Sequence, residues 1–318
     1  MRILISKTEA IGDAIIVSSL AGFLKRIRPH WKIRYLVTKP MVPLLKLCPS
    51  IDEVTDPGDP TCYDDVDIYL ASDRNHRTLR AAKNQGVPLR ITNIRRYKTW
   101  LFANSFIYYS KRSYWIKGHE ALFSFRYLKQ LGIQYQPSIN NLNEWCRLQP
   151  EPSYQLPKQF KNKRLIALHP GSNKSAREWP VDNYVALAQQ LKNHGYTPVL
   201  TGSHEEGERF KLFFKNFQCL WGALSLGDLA NFYAHCEAVV ACSTGPLHIA
   251  AAIGTHAVGI YPNRRHIHPK RWRPLGPKVT VIYHTPSFCR ATCQHGGCGC
   301  MQSISPNQVF ETIHSGQL

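Results

Sequence analysis

Two doubly wound α/β domains in tandem are what the sequence predicts. Three observations carry the prediction: apolar strand-like runs alternate with helix-like runs, the series occurs twice, and a polar stretch with three prolines separates the two occurrences. Such sheets bind ligands beyond the carboxyl ends of their strands, so polar clusters directly after strands are the candidate sites.

In the first half, RILIS is a short apolar strand and KTEAIGD a polar turn containing Gly12. AIIVSSLAGFLKRIRP then spaces its apolar residues as a helix does, until Pro29 stops it. KIRYLVT reads as the next strand, MVPLLKLCP as a short helix and DEVTDPGDP as a turn-rich connection. DIYLAS is a third strand, followed by a basic helix-like stretch through Gln85. Strand and helix in this order describe a parallel sheet with helical crossovers.

Residues 149–163, QPEPSYQLPKQFKNK, offer little that forms a core and read as a linker. The pattern then restarts. RLIALHP is a strand, NYVALAQQLKNHG a helix capped by Gly195, and TPVLTGS a strand. SLGDLANFYAHC is a helix, EAVVAC a strand, PLHIAAAIG a helix and HAVGIYP a strand. The expected division is a domain at 1–150, a linker at 151–163, a second domain at 164–302 and a closing helix at 303–318 that packs back toward the first domain.

At 318 residues each domain is long enough to bury a core. The formal charge of +19 points to an anionic partner: nucleic acid, a phospholipid surface or a phosphorylated substrate. Residues 74–129 hold thirteen Lys or Arg against one acid, Glu120, interleaved with aromatics such as Tyr97, Trp100 and Trp115. That mixture suits single-stranded nucleic acid, a lipid interface, or a solvated basic face over an aromatic core. No run approaches the roughly 18 apolar residues of a membrane span, and MRILISKTEA lacks a signal peptide's apolar region. The expected location is therefore cytoplasmic, peripheral to a membrane at most. Six of the ten cysteines are scattered singly, as reduced residues are, and four cluster near the C-terminus.

Three strand ends carry chemistry. The first offers Lys7-Thr8-Glu9-Ala10-Ile11-Gly12-Asp13, with carboxylates at the mouth of the N-terminal sheet. The loop after RLIAL is HPGSNKSAREWP, where Gly and small polar residues allow close backbone approach and Lys174 and Arg177 supply cations for a phosphate. Ser243-Thr244-Gly245-Pro246 follows EAVVAC; Pro246 fits a first helical turn, Ser243 or Thr244 can cap, and the turn's amides face an anion. Each has a plain structural reading too: a helix cap at Gly12-Asp13, an ordinary loop, an ordinary cap with His248 a core histidine. Together, at three strand ends facing one cleft, they are less easily dismissed as plain structure.

In these stretches the chain resembles the bacterial heptosyltransferase group, glycosyltransferase family 9. The matching segments are MRILISKTEAIGDAI, His119-Glu120 with ALFSFRYLKQLGI, LIALHPGSNKSAREWPVDNYVALAQQL, WGALSLGDLANFYAHCEAVVACSTGPLHIAAAIG, HPKRWRPLG and CMQSISPNQVF. The resemblance implies a GT-B enzyme, α/β with two Rossmann-like domains and a cleft between them, the acceptor on the first and a nucleotide-sugar donor on the second. It implies an inverting transfer with Asp13 as general base. It gives Ser172, Asn173, Lys174 and Arg177, with Ser243, Thr244, Gly245 and His248, as donor-binding residues, and Arg271 as a further candidate for the diphosphate.

The implied donor is ADP-heptose, with no cofactor required for catalysis. The implied acceptor is the Kdo-lipid A core of lipopolysaccharide at the inner-membrane surface, which gives the basic segment a role and leaves no place for nucleic acid. Many heptosyltransferases have Asp-Thr-Gly where this chain has Ser243-Thr244-Gly245, so another nucleotide sugar, or a different glycan or protein acceptor, is the alternative; a non-catalytic basic binding protein is the third reading. Cys289, Cys293, Cys298 and Cys300 are candidates for structural zinc or iron, although their spacing is not the paired C-x2-C of common zinc sites.

Overall fold

Parallel pairing joins every neighbouring pair of strands, as helical crossovers require. The structure, a computed structural model, describes residues 1–73, 75–94, 99–108, 118–284 and 299–315. It divides into two units, Met1–Gln149 and Pro150–Leu318. In the first, β1 (Arg2–Ser6), β2 (Lys32–Leu36), β3 (Glu53–Thr55), β4 (Ile68–Ala71), β5 (Leu89–Asn93) and β6 (Ser105–Ile107) form one sheet in the order β3-β2-β1-β4-β5-β6. The central strands β1 and β4 are buried along nearly their whole length, as the inner strands of a parallel sheet are.

The helix Ile11–Ile27 is buried along most of its length. Its Gly22 meets Trp145 so closely that an added Cβ would lie 2.4 Å from the Trp145 carbonyl oxygen, which lets this helix and Ile139–Trp145 approach at backbone distance. Phe23, Phe125, Tyr135 and Trp145 stack around that crossing.

The second unit repeats the layout. β7 (Leu165–His169), β8 (Thr197–Gly202), β9 (Gln218–Trp221), β10 (Ala238–Cys242), β11 (His256–Tyr261) and β12 (Val279–Tyr283) run in the order β12-β11-β10-β7-β8-β9. In both sheets the first strand lies beside the fourth. Two features add to the sequence reading. Residues 151–163 are not a bare linker: Phe160 is buried against Phe232, and the Glu151 amide donates to Asn231 Oδ1 at 2.8 Å. The closing helix, Pro306–Ser315, spends its apolar face, Val309, Phe310 and Ile313, in the core of the second unit.

Among the described residues no helix is long and apolar enough to cross a membrane. Cys289, Cys293 and Cys298 lie outside the described residues, while Cys300 is half-buried. No group of three or more metal-ligating side chains occurs among the described residues.

Candidate functional site

A parallel sheet in this strand order has one place where successive crossovers leave toward opposite sides, between the first and fourth strands, and a crevice opens there at the carboxyl ends. In the first unit that place is between β1 and β4, where Ser6 is level with Ala71. The chain leaves β1 as Lys7-Thr8-Glu9 and β4 as Ser72-Asp73. Asp73, 1% exposed, ties the two loops: its Oδ2 accepts from the Thr8 amide and hydroxyl at 3.2 and 3.0 Å, its Oδ1 from the Asn75 amide at 3.2 Å.

Lys7 extends its ammonium into the same crevice. It donates to Glu9 Oε2 at 2.7 Å and to the Ser72 carbonyl at 3.4 Å, and stands 3.7 Å from Asp13 Oδ1. Asp13 is not a cap; the N-cap of Ile11–Ile27 is Ala10, and Asp13 lies in the first turn, where the helix dipole favours an anion. Its carboxylate keeps partial exposure, 19%. A carboxylate so held, reachable from outside, can take a proton from a hydroxyl brought within hydrogen-bond distance.

The equivalent place in the second unit lies between β7 and β10, where His169 is level with Ala241, and β11 flanks β10 with Ile260 level with Cys242. The loops after β7, β10 and β11 therefore emerge side by side. The β7 loop is anchored from below. His169 is buried, sharing a 3.0 Å hydrogen bond with Thr201, which shares another with Tyr233, while Glu206 Oε2 stands 3.5 Å from its Nε2. Burial pushes the His169 pKa down, against the opposing pull of Glu206. Glu206 also closes a capping box with Ser203, and its carboxylate crosses Gly171, where an added Cβ would lie 2.0 Å from Oε1.

Beyond Gly171 the loop turns through two successive left-handed residues, Asn173 at φ 42° and Lys174 at φ 61°. Residues with a Cβ adopt this conformation only when the surroundings impose it. Ser172 is buried, its hydroxyl donating to Glu178 at 2.8 Å with the Ala176 carbonyl 3.3 Å away, so it shapes the turn. Glu178 is itself engaged by Arg209. Trp179 closes the loop, with its amide on Cys242 Sγ and its Nε1 on the Ile304 carbonyl at 2.9 Å.

The helix Gly245–Ile253 begins at Thr244, whose hydroxyl turns back to the Cys242 carbonyl at 3.2 Å instead of capping. Its first-turn amides thus receive no side-chain cap. His248 is buried one turn in, and the helix ends at Gly254, φ 92°.

A pocket of about 250 Å³ opens between the loops after β7 and β11, lined by Lys174, Ser175, Ala176, Arg177, Arg264, His266 and Ile267. Of the sequence-derived donor residues it gathers Lys174 and Arg177; Asn173, Ser243, Thr244, Gly245 and His248 are not in its wall, nor is Arg271, whose guanidinium lies over the Trp272 ring. Sequence reasoning missed Asp73, Glu206, Arg264 and His266. Asp73 and Arg264 follow apolar strands, and Ser203-x-x-Glu206 is a capping-box signature, so the signals were present.

The basic stretch is less uniform than its composition. Residues 74, 95–98 and 109–117 lie outside the described residues. Arg90 is structural, its guanidinium holding the carbonyls of Val87 and Phe102. Arg77, Arg80, Lys83 and Lys129 are exposed, as are Trp100 and Tyr108, both 62%.

Comparison with known proteins gives a consistent result. Residues 121–298 match the family model described as glycosyltransferase family 9 (heptosyltransferase). Over 164 residues the chain is 32% identical to lipopolysaccharide heptosyltransferase 2 of Salmonella typhimurium, covering 48% of this chain and 46% of that protein, so the match spans about half of the relative's length. Among solved structures, the ADP-heptose LPS heptosyltransferase II of E. coli aligns with a TM-score of 0.78 at 22% identity, over 99% of this chain and 98% of that one. The E. coli heptosyltransferase WaaC with ADP aligns at 0.73 and 16% identity, over 99% of each. The two-sheet architecture is the GT-B fold of these structures.

Proposed function

Because the chain belongs to glycosyltransferase family 9, and is therefore a sugar-transferring enzyme, we propose that it moves heptose from ADP-heptose to the lipopolysaccharide inner core by a single inverting displacement. The observation that carries this reading is the charge at the two switch points: a carboxylate held by Lys7 in the first unit, and Lys174 and Arg177 gathered in one pocket in the second. Asp13 accepts the proton of the acceptor hydroxyl as its oxygen attacks the anomeric carbon. The bond from that carbon to the diphosphate oxygen breaks in the same step. Lys174, Arg177 and the uncapped amides of Gly245–Ile253 meet the charge that develops on the departing diphosphate.

What supports ADP-heptose and a lipopolysaccharide acceptor is the likeness to the Salmonella enzyme and to the E. coli structures named above. Exposed cations at Arg77, Arg80, Lys83 and Lys129 would hold the protein on an anionic membrane surface, and unchanged liposome binding after their reversal to glutamate would remove that part. A second reading, transfer from another nucleotide sugar, is favoured by Ser243, whose neutral hydroxyl replaces the aspartate many heptosyltransferases have and gives up a charge-assisted contact to the sugar.

The test is a donor screen on Kdo-lipid A with ADP-heptose and UDP-GlcNAc, wild type beside Asp13→Ala. Heptose transfer that falls by about 10²–10⁴ in the variant is the expected result for loss of a general base. Transfer from the other donor establishes the second reading, and full activity in the variant removes Asp13 from the mechanism.

A further inference from the structure

We propose that Arg264 and His266 are donor-binding residues, which complete a cationic wall around the donor's diphosphate opposite Lys174 and Arg177. The inference rests on the donor-site reading above and deepens it, because these two residues come from a different loop and were not among the residues the family resemblance supplied.

The pocket has two walls. Residues 174–177 of the β7 loop form one; Arg264, His266 and Ile267 of the β11 loop form the other. Strand order places these loops on either side of the β10 loop. Its lining includes three side chains of fixed positive charge and a histidine, and no carboxylate. Glu178, the acid nearest in sequence, is outside the lining and is engaged by Ser172 and Arg209. At about 250 Å³ the space is below the roughly 300–1,000 Å³ of pockets that enclose a whole small ligand, which suits one anionic portion of a larger molecule.

Both walls are set before a ligand arrives. The backbone at Lys174 is fixed by the left-handed turn and by the Ser175 amide and hydroxyl on the Ser172 carbonyl. On the other side, Trp272 Nε1 donates to the His266 carbonyl at 2.9 Å, the Tyr261 hydroxyl donates to the Trp272 carbonyl at 2.8 Å, and the Ile267 amide closes a turn on Arg264 at 3.1 Å. Cations carried on two loops of preset backbone recognise a diphosphate better than a monophosphate, because the second phosphate reaches the second wall.

The experiment is calorimetric titration of the whole protein with ADP, UDP, AMP and inorganic pyrophosphate, for wild type, Arg177→Ala, Arg264→Ala, Arg264→Lys and the Arg264→Ala/His266→Ala pair. Nucleoside diphosphate and pyrophosphate binding should weaken roughly tenfold in Arg264→Ala and further in the pair, with AMP nearly unchanged and Arg264→Lys partly restored. Melting temperatures within 2 °C or so of wild type are expected, since His266 is exposed and Arg264 half-buried. If Arg177→Ala weakens diphosphate binding while Arg264→Ala and the pair bind as wild type does, the inference is wrong and the donor-site reading stands. If wild type binds none of these diphosphates at millimolar concentration, the donor-site reading itself falls, and this inference with it.

Discussion

Gly171→Ala tests how the donor loop is held. The added Cβ would lie 2.0 Å from Glu206 Oε1, 2.2 Å from its Cδ and 2.7 Å from its Cγ, so something must move. If the carboxylate swings away, it loses the Ser203 amide at 2.9 Å, one half of the capping box, and its place beside His169. That amide bond is to a charged group, and losing it costs about 1.5–3 kcal/mol. If the loop moves instead, Ser172 leaves Glu178 and Ala176, and overpacking of this kind costs about 1–3 kcal/mol. Either route gives about 2 kcal/mol, or roughly 4–8 °C in the melting of a unit of this size. Scanning calorimetry on Gly171→Ala, Glu206→Ala and the double variant forms a thermodynamic cycle. Removing the Glu206 side chain opens the space, so Gly171→Ala should cost almost nothing in that background. An equal penalty in both backgrounds, or none in the single variant, would refute the steric account.

Three further outcomes are expected. Burial holds the His169 pKa below the ordinary 6.5, so as pH falls through that value the unfolded chain takes up a proton that the folded one refuses. Stability present at pH 8 should therefore decline below about 6.5, and the urea midpoint should fall less between pH 8 and pH 5 in His169→Gln than in wild type; equal declines would exclude His169 as a source. Lys174→Gly should melt close to wild type, because relief of about 1 kcal/mol of backbone strain roughly offsets glycine's larger unfolded-state entropy, while the donor KM rises; an unchanged KM would take Lys174 out of the site. Burial pushes the Cys242 thiol up to about 12, so iodoacetamide should reach Cys242 only after denaturation, and peptide mapping that finds it alkylated in the native protein would contradict the packing against Trp179 and Tyr184.

The sequence announces the middle of each sheet and conceals its margins. β1, β4, β7 and β10 are buried nearly throughout and read as continuous apolar runs. β3, inside the stretch read as turns, and β6, β9 and β12 at the other edges are short or only half-buried, so neither alternation nor a continuous run marks them. The site divides in the same way. Asp13, Lys174 and Arg177 stand out in one dimension as charged residues in the loops that follow buried strands, and the structure keeps Asp13 partly exposed and puts Lys174 and Arg177 in the lining of one pocket. Ser172 looked the same in one dimension, but whether a hydroxyl faces a ligand or a neighbouring carboxylate depends on how the loop folds back, here onto Glu178. Phe160 was hidden for the converse reason: one aromatic in a polar, proline-rich stretch gives no period, and only the groove beside Phe232 explains it.

The turn at Asn173 and Lys174 has a consequence for directed evolution. Glycine at either position would let the backbone take its left-handed form without a Cβ, yet glycine at 174 would also remove a cation from the pocket wall. Screens for heat tolerance should therefore let both positions drift, since strain relief and glycine's entropy nearly cancel, whereas screens for turnover should hold lysine at 174.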